Sequence, residues 1–252
     1  MFDRLLQRLN RPGNAYAPPD GTRVYAIGDI HGRADLLSEI HALIAADLAG
    51  PCPGRVVVVY LGDYIDRGLS SRAVIETLIT APIAGVEIVH LRGNHEAFLL
   101  HFLEDPEVGT NWLPNGGDAT LYSYDVEKPW IIDGEPALGR TSDEFRRRLP
   151  ASHLAFFEGL PLYHVEGGYT FVHAGIRPGQ ALEDQDERDL LWIRNAFLNS
   201  RADHGCCVVH GHTITREVEI RANRIGIDTG AYYTGTLTCL VLEGTERRWL
   251  QT

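Results

Sequence analysis

Short apolar runs alternate with helical periodicities from Val24 onward. Val24-Tyr25-Ala26-Ile27, Val56-Val57-Val58-Val59-Tyr60-Leu61 and Val86-Glu87-Ile88-Val89-His90-Leu91 read as strands, and the unbroken middle run reads as buried on both faces. Between them Leu36, Leu37, Ile40, Leu43, Ile44 and Leu48 recur at helical spacing until Gly50-Pro51, and Ala73, Val74, Leu78 and Ile79 do so until Pro82. Crossovers of that length join parallel strands and lay helices on the sheet.

After His95 the alternation lapses. Residues 98–103 continue a helix begun at the Asn94/His95 loop, after which Pro, Gly, Trp and Asp become frequent. The stretch from about 104 to 150 reads as a helical cap insert, with permissive backbone at Asn115-Gly116-Gly117 and a solvated basic face at Arg146-Arg147-Arg148. Strands then return. Residues 162–166 and 169–173 flank Gly167-Gly168 as a hairpin. A helix follows around 190–193, a strand over 206–209, three more near 217–221, 224–227 and 236–242, and a fourth near 247–250. At the start of the chain Leu5, Leu6 and Leu9 have the spacing of a short helix packed on the body. The expected fold is α/β: two mixed β-sheets packed face to face and flanked by helices, with a parallel half followed by an antiparallel half.

Length changes this picture little, since 252 residues without a Pro/Gly/Ser-rich linker suit one domain spanning 1–252. Charge changes it more. A net charge of −11 and a pI near 5.4 oppose binding to nucleic acid, and part of that acidity is expected to face bound cations. Cys52, Cys206, Cys207 and Cys239 have no Cys-x-x-Cys spacing, which suits a reducing, cytoplasmic setting better than a disulfide framework. No segment has the apolar length of a signal peptide or a membrane span.

The three early strands all run into polar loops: Gly28-Asp29-Ile30-His31-Gly32, Gly62-Asp63-Tyr64-Ile65-Asp66-Arg67-Gly68 and Arg92-Gly93-Asn94-His95-Glu96. Ligand sites of α/β proteins lie at such strand ends. Singly, a Gly-Asp is a turn and a histidine is a packed or exposed residue; their joint placement at one edge reverses that reading. Asp, His and Asn donors without cysteine suit Mn²⁺, with Fe or Zn²⁺ as alternatives. Asp29 and His31 are close enough in sequence to face one ion, and Asp63 is placed to bridge to a second. Asn94, His173 and His212, each at a strand end, complete that second ion. Two ions about 4 Å apart polarise one phosphoryl group and acidify a shared water, giving hydroxide for in-line attack. Arg67 remains to clamp phosphate oxygens. His95 is placed to protonate the leaving oxygen, with Asp66 fixing its tautomer. Arg194, in Leu191-Trp192-Ile193-Arg194, is the candidate second guanidinium.

In that order, Gly-Asp-Ile-His-Gly, Gly-Asp-Tyr-Ile-Asp-Arg-Gly and Gly-Asn-His-Glu resemble the signature blocks of the phosphoprotein phosphatases within the calcineurin-like metallophosphoesterases. His173-Ala174-Gly175 and Gly211-His212-Thr213 resemble the later histidine blocks, so the likeness spans about 24–242. The resemblance implies a four-layer sandwich, a dinuclear centre built on the six ligands above, and hydrolysis without a phosphoenzyme. It also implies the roles given to His95, Asp66 and Arg67. Leu190-Leu191-Trp192-Ile193-Arg194, the 115–121 segment and Ile227-Asp228-Thr229-Gly230-Ala231 look like the bacterial and phage branch, which includes diadenosine tetraphosphate hydrolases.

The expected activity is a phosphomonoesterase acting on phosphoserine, phosphothreonine or phosphotyrosine of proteins and peptides. A bis(5'-nucleosyl)-tetraphosphatase acting on dinucleoside polyphosphates is the alternative, and a non-catalytic phospho-binding scaffold is the third reading. His90 and His210 stand as candidate supports behind the ligands; His41, His101, His153, His164 and His204 read as structural, and Glu96 as a helix-start carboxylate. Trp112, Trp130 and Trp192 read as packing residues.

Overall fold

The computed structural model describes residues 7–8, 16–51, 54–80, 83–128 and 135–252. Its strands are β1 (Gln7–Arg8), β2 (Thr22–Ile27), β3 (Arg55–Tyr60), β4 (Glu87–His90), β5 (Tyr163–Glu166), β6 (Tyr169–Val172), β7 (Cys207–His210), β8 (Glu219–Ile220), β9 (Arg224–Gly226), β10 (Thr238–Glu243) and β11 (Glu246–Gln251). Its helices are α1 (Ala34–Leu48), α2 (Ser71–Thr80), α3 (Asn94–Glu104), α4 (Gly109–Trp112), α5 (Gly117–Ser123), α6 (Glu135–Arg148), α7 (Ala151–Glu158), α8 (Glu187–Trp192), α9 (Asn195–Leu198) and α10 (Ala231–Thr234).

Two mixed sheets result, in the orders β1-β11-β10-β2-β3-β4 and β5-β6-β7-β9-β8. The double burial of β2 and β3 follows from their alternation. Val24, Ala26, Val57 and Val59 face the second sheet and meet Phe171, Val209 and Ile225 there, while Tyr25, Ile27, Val58 and Tyr60 face outward against Leu37, Ile40 and Ile44 of α1. On the far side Val172 and Val208 pack on Ile193 and Phe197 beside α8 and α9. The order is therefore helices, sheet, sheet, helices.

Two expectations are corrected. The second half is not an antiparallel sheet of its own: β6, β7 and β9 run parallel at the centre of the second sheet, and β10 and β11 cross back to join the first. Strand periodicity reports which faces are buried and carries no information about pairing direction, so this could not be read from pattern alone. The early segment expected as a helix contributes a strand instead, with Gln7 and Arg8 pairing with Trp249 and Arg248. The outer edge of β11 offers unpaired backbone groups that such a strand satisfies. Leu5, Leu6 and Leu9 lie outside the described residues, as do Cys52, Pro82 and Trp130. Within 104–150, the stretch expected as a helical insert, α4, α5 and α6 pack against α3 and α2.

The consequence for function lies in direction. Strands β2, β3 and β4 are parallel to one another, as are β6, β7 and β9, and their C-terminal ends open into the loops that carry the polar residues.

Candidate metal centre

Asp29 follows β2, Asp63 follows β3, Asn94 follows β4, His173 follows β6 and His212 follows β7. The loops are drawn tightly together by backbone bonds. Ile30 and His31 N–H both donate to the Asp63 carbonyl at 3.0 and 2.9 Å, Gly32 N–H to Tyr64 O at 2.8 Å, and Gly211 N–H to His173 O at 2.8 Å. Six non-glycine residues among those described have positive φ, and five of them are His31, Asp63, Asp66, Arg67 and His212. Such backbone costs about 1–3 kcal/mol per residue and persists where the surroundings fix it, so strain is concentrated in the candidate site.

Asp63 stands at the centre. Its Oδ2 lies 3.5 Å from His31 Nε2 and 3.8 Å from His95 Nε2, while its Oδ1 lies 3.4 Å from His173 Nε2. Two donor groups share it: His31, Asp63 and His95, and Asp63, His173 and His212, with ligand atoms in each group within 4.8 Å of one another. Asn94 joins the second group, its Oδ1 lying 2.8 Å from His173 Nε2. Asp29 joins through His212, whose backbone N–H donates to Asp29 Oδ2 at 3.0 Å. The six ligands expected from sequence are thus brought together, and His95 lies closer to the first group than its expected role required.

These donors fit cations. His31 Nδ1–H donates to Ile65 O and His173 Nδ1–H to Leu61 O, both at 2.9 Å, which leaves a lone pair on each Nε2 facing the site. The His173 Nε2 lone pair then faces the carbonyl oxygen of Asn94, two acceptors with no proton between them. His212 Nε2 is buried with no hydrogen-bond partner among the described residues. Burial lowers the pKa of His31, His173 and His212, the last to about 2, so all three are neutral and able to ligate. Burial, then Asp228 and then Asp63, pushes the Asp29 carboxyl well up, and burial foremost raises Asp228 to about 6. Buried carboxylates that repel one another beside neutral imidazoles call for positive charge between them.

Beside this group His95 Nδ1–H donates to Asp66 Oδ2 at 2.6 Å. Burial disfavours the charged imidazole, but Asp63 and Asp66 together outweigh it and raise the His95 pKa. Arg67 donates to His31 Nε2 at 2.7 Å and places its other terminal nitrogen 3.2 Å from His95 Nε2, with its guanidinium 4.9 Å over the Tyr232 ring. Arg194 stands exposed at the rim, donating to Thr213 Oγ1 at 3.5 Å, and its charge helps hold His173 and His212 neutral.

Sequence reasoning missed several members. Asp228 follows β9 as Asp29 follows β2, and the strand-into-Asp-Thr-Gly pattern was its available signal. Glu96 is more than a helix-start carboxylate: besides taking Gly93 N–H at 2.9 Å, it takes Asp63 and Tyr64 N–H, each at 2.8 Å, and so fastens α3 to the loop after β3. Burial and Asp63 raise its pKa to about 8. Trp112 and Thr120 hydrogen-bond Asp66, and no local pattern pointed to them. His90 stacks on Tyr60, and His210 bonds Gly211 O and Arg224, so neither hydrogen-bonds a candidate ligand among the described residues. Of the tryptophans, Trp112 is fully buried; Trp192 is 38% exposed, edge-on to His212, and lines a cavity of about 600 Å³ with Phe98 and His101.

Gly93 permits the close approach of these loops, since a Cβ there would collide with the Asp63 carboxylate and backbone nitrogen and come within 2.7 Å of Glu96 Oε2. Gly93→Ala is expected to lose about 1–3 kcal/mol of stability, read as a lower urea midpoint, together with weaker metal uptake in a titration.

A family model described as calcineurin-like phosphoesterase matches residues 22–237. "Serine/threonine-protein phosphatase 1" of Salmonella typhimurium is 30% identical over 234 residues, covering 85% of this chain and 89% of its own. "Bis(5'-nucleosyl)-tetraphosphatase PrpE [asymmetrical]" of Anoxybacillus flavithermus is 24% identical over 237 residues, covering 85% and 88%. A solved structure provisionally named a diadenosine tetraphosphatase aligns with a TM-score of 0.61 at 20% identity, over 93% of this chain and 95% of that one, and supports the fold.

Proposed function

The chain belongs to the calcineurin-like phosphoesterases, and from that premise we propose that it is a phosphomonoesterase releasing phosphate from phosphoserine, phosphothreonine or phosphotyrosine in proteins. The coarser statement, a metal-dependent hydrolase of phosphate esters, stands on the family and on relatives named as phosphatases, and it displaces the scaffold reading. The observation that carries the finer one is the Arg67 guanidinium set beside the His95–Asp66 pair, a phosphate clamp and an acid at one point.

Asp29, His31 and Asp63 would hold one ion, and Asp63, Asn94, His173 and His212 the other, with Mn²⁺ the first candidate and Fe or Zn²⁺ the alternatives. Such a pair, when bound, supplies Lewis acidity and a nucleophile at neutral pH. The chain's own residues do the rest. Arg67, released from the two imidazoles, presents paired N–H donors to the phosphoryl oxygens, and Arg194 adds charge from the rim. His95, charged and oriented by Asp66, delivers the proton from Nε2 to the departing oxygen. A terminal phosphate dianion suits two guanidiniums and one acid better than an internal phosphate does.

A second reading has its own support. Trp192 and Tyr233, 38% and 62% exposed, leave large aromatic surface open on chain segments that flank the centre, and such surface suits a nucleobase. The relatives named as tetraphosphatases add to it. Turnover by the Mn²⁺-loaded protein of a phosphoserine peptide, a phosphotyrosine peptide and diadenosine tetraphosphate separates the two. The phosphopeptides are expected to have the higher kcat/KM; a preference for the dinucleotide overturns the first reading in favour of the second. Among the described residues no helix is long and apolar enough to cross a membrane.

A further inference from the structure

The segment from Gly109 to Ser123 was expected only to cover the site, yet its side chains reach the acid pair. Asp66 is fully buried, and its carboxylate is held on both oxygens. Oδ2 takes His95 Nδ1–H at 2.6 Å and also Trp112 Nε1–H at 2.7 Å, while Oδ1 takes the Thr120 hydroxyl at 2.5 Å. Thr120 Oγ1 and Ser71 Oγ accept the Asp66 backbone N–H at 2.9 and 3.1 Å, which fixes the residue at its positive φ. The permissive Asn115-Gly116-Gly117 backbone has a use in the same place. Gly116 O takes Arg67 N–H at 3.1 Å, and a Cβ on Gly117 would press within 2.7 Å of the Trp112 indole nitrogen.

We propose that Trp112 and Thr120 are positioning residues for the acid step: by pinning both oxygens of Asp66 they hold the His95 ring with Nε2 aimed at the leaving oxygen. This rests on the reading of His95 as the acid. A carboxylate bonded on one side alone would turn about its Cβ–Cγ bond and carry the imidazole with it. Two donors on opposite oxygens remove that freedom, and a misplaced acid matters in proportion to how badly the leaving group needs its proton.

The simple structural alternative is that Trp112 is core packing, since it lies against Phe102 and Phe145 at ring distances of 5.0 and 6.0 Å. Packing predicts an effect blind to the leaving group. Trp112→Phe and Thr120→Val, each loaded with Mn²⁺, are compared with the parent on p-nitrophenyl phosphate, whose leaving group needs little protonation, and on a phosphoserine peptide, whose leaving group needs it fully. The expected result is a roughly 10- to 150-fold loss of kcat on the peptide, about what one hydrogen bond to a charged group carries, and under about threefold on p-nitrophenyl phosphate. Thr120→Ser, which keeps the hydroxyl, restores the peptide rate. Equal losses on both substrates, or none on either, overturn the proposal; should Trp112→Phe fail to fold, Thr120→Val decides. His95→Asn run on the same pair separates the premise from the inference. If His95→Asn shows no leaving-group dependence the acid reading falls, whereas if it does and the two positioning variants do not, the inference falls alone.

Discussion

Asp63→Asn is expected to lower kcat/KM about 10³-fold or more and to abolish tight uptake of the second equivalent of metal. Among the described residues Asp63 is the one side chain that offers an oxygen to both histidine groups, Oδ1 toward His173 and Oδ2 toward His31. The substituted amide would keep one oxygen acceptor, so the His95 backbone N–H, now donating to Oδ1 at 3.1 Å, retains a partner and the local fold is preserved. The other oxygen becomes an N–H₂ group that repels a cation. Loss of the bridge removes several kcal/mol of charge stabilisation, at about 1.36 kcal/mol per decade of rate. Added Mn²⁺ should also raise the melting temperature of the parent by far more than that of the variant, since only the parent offers the shared carboxylate. A variant that binds two equivalents and responds to Mn²⁺ as the parent does would show that Asp63 bridges nothing.

The parts of this centre that could be read from the chain are those encoded within one strand and its exit loop. Asp29, Asp63, Asn94 and His212 each follow an apolar run by two or three residues and His173 follows one directly, so local pattern placed them at an edge. What could not be read depends on how distant pieces dock. Asp228 follows β9 in the same manner, but its place beside Asp29 exists only because β9 lies next to β7 and the two sheets face each other. Glu96 looked like a helix start and is one; its second task, taking the Asp63 and Tyr64 N–H groups, requires the β3 and β4 loops in contact. Trp112 and Thr120 come from a segment with no strand grammar at all. Pairing direction was hidden for a related reason. A buried strand such as β7 has the same composition whether its neighbour runs parallel or antiparallel, so the crossing of β10 and β11 into the first sheet left no trace in their own residues.

His95→Asn is expected to lower kcat on a phosphoserine peptide by about 10²–10⁴-fold, the range for loss of one positioned general acid. The substitution keeps a polar side chain of similar reach and leaves Asp66 with the Trp112 and Thr120 donors, so the buried carboxylate is not orphaned. What disappears is the proton on Nε2, which Asp63 and Asp66 favour against burial. With p-nitrophenyl phosphate the loss should be far smaller, because that leaving group departs without a proton. The geometry also admits a competing role, and the same variant distinguishes it. His95 Nε2 lies within ligand distance of the His31 and Asp63 donors, so a neutral His95 could hold the first ion in place of, or beside, Asp29. As an acid, His95 can be removed without changing the metal content, and the defect follows the leaving group. As a ligand, its removal costs one equivalent of metal by elemental analysis and slows every substrate alike. Two equivalents retained with a substrate-dependent loss assigns His95 to the proton; one equivalent lost with a uniform decline assigns it to the ion, and Asp66 then becomes the residue that orients a ligand.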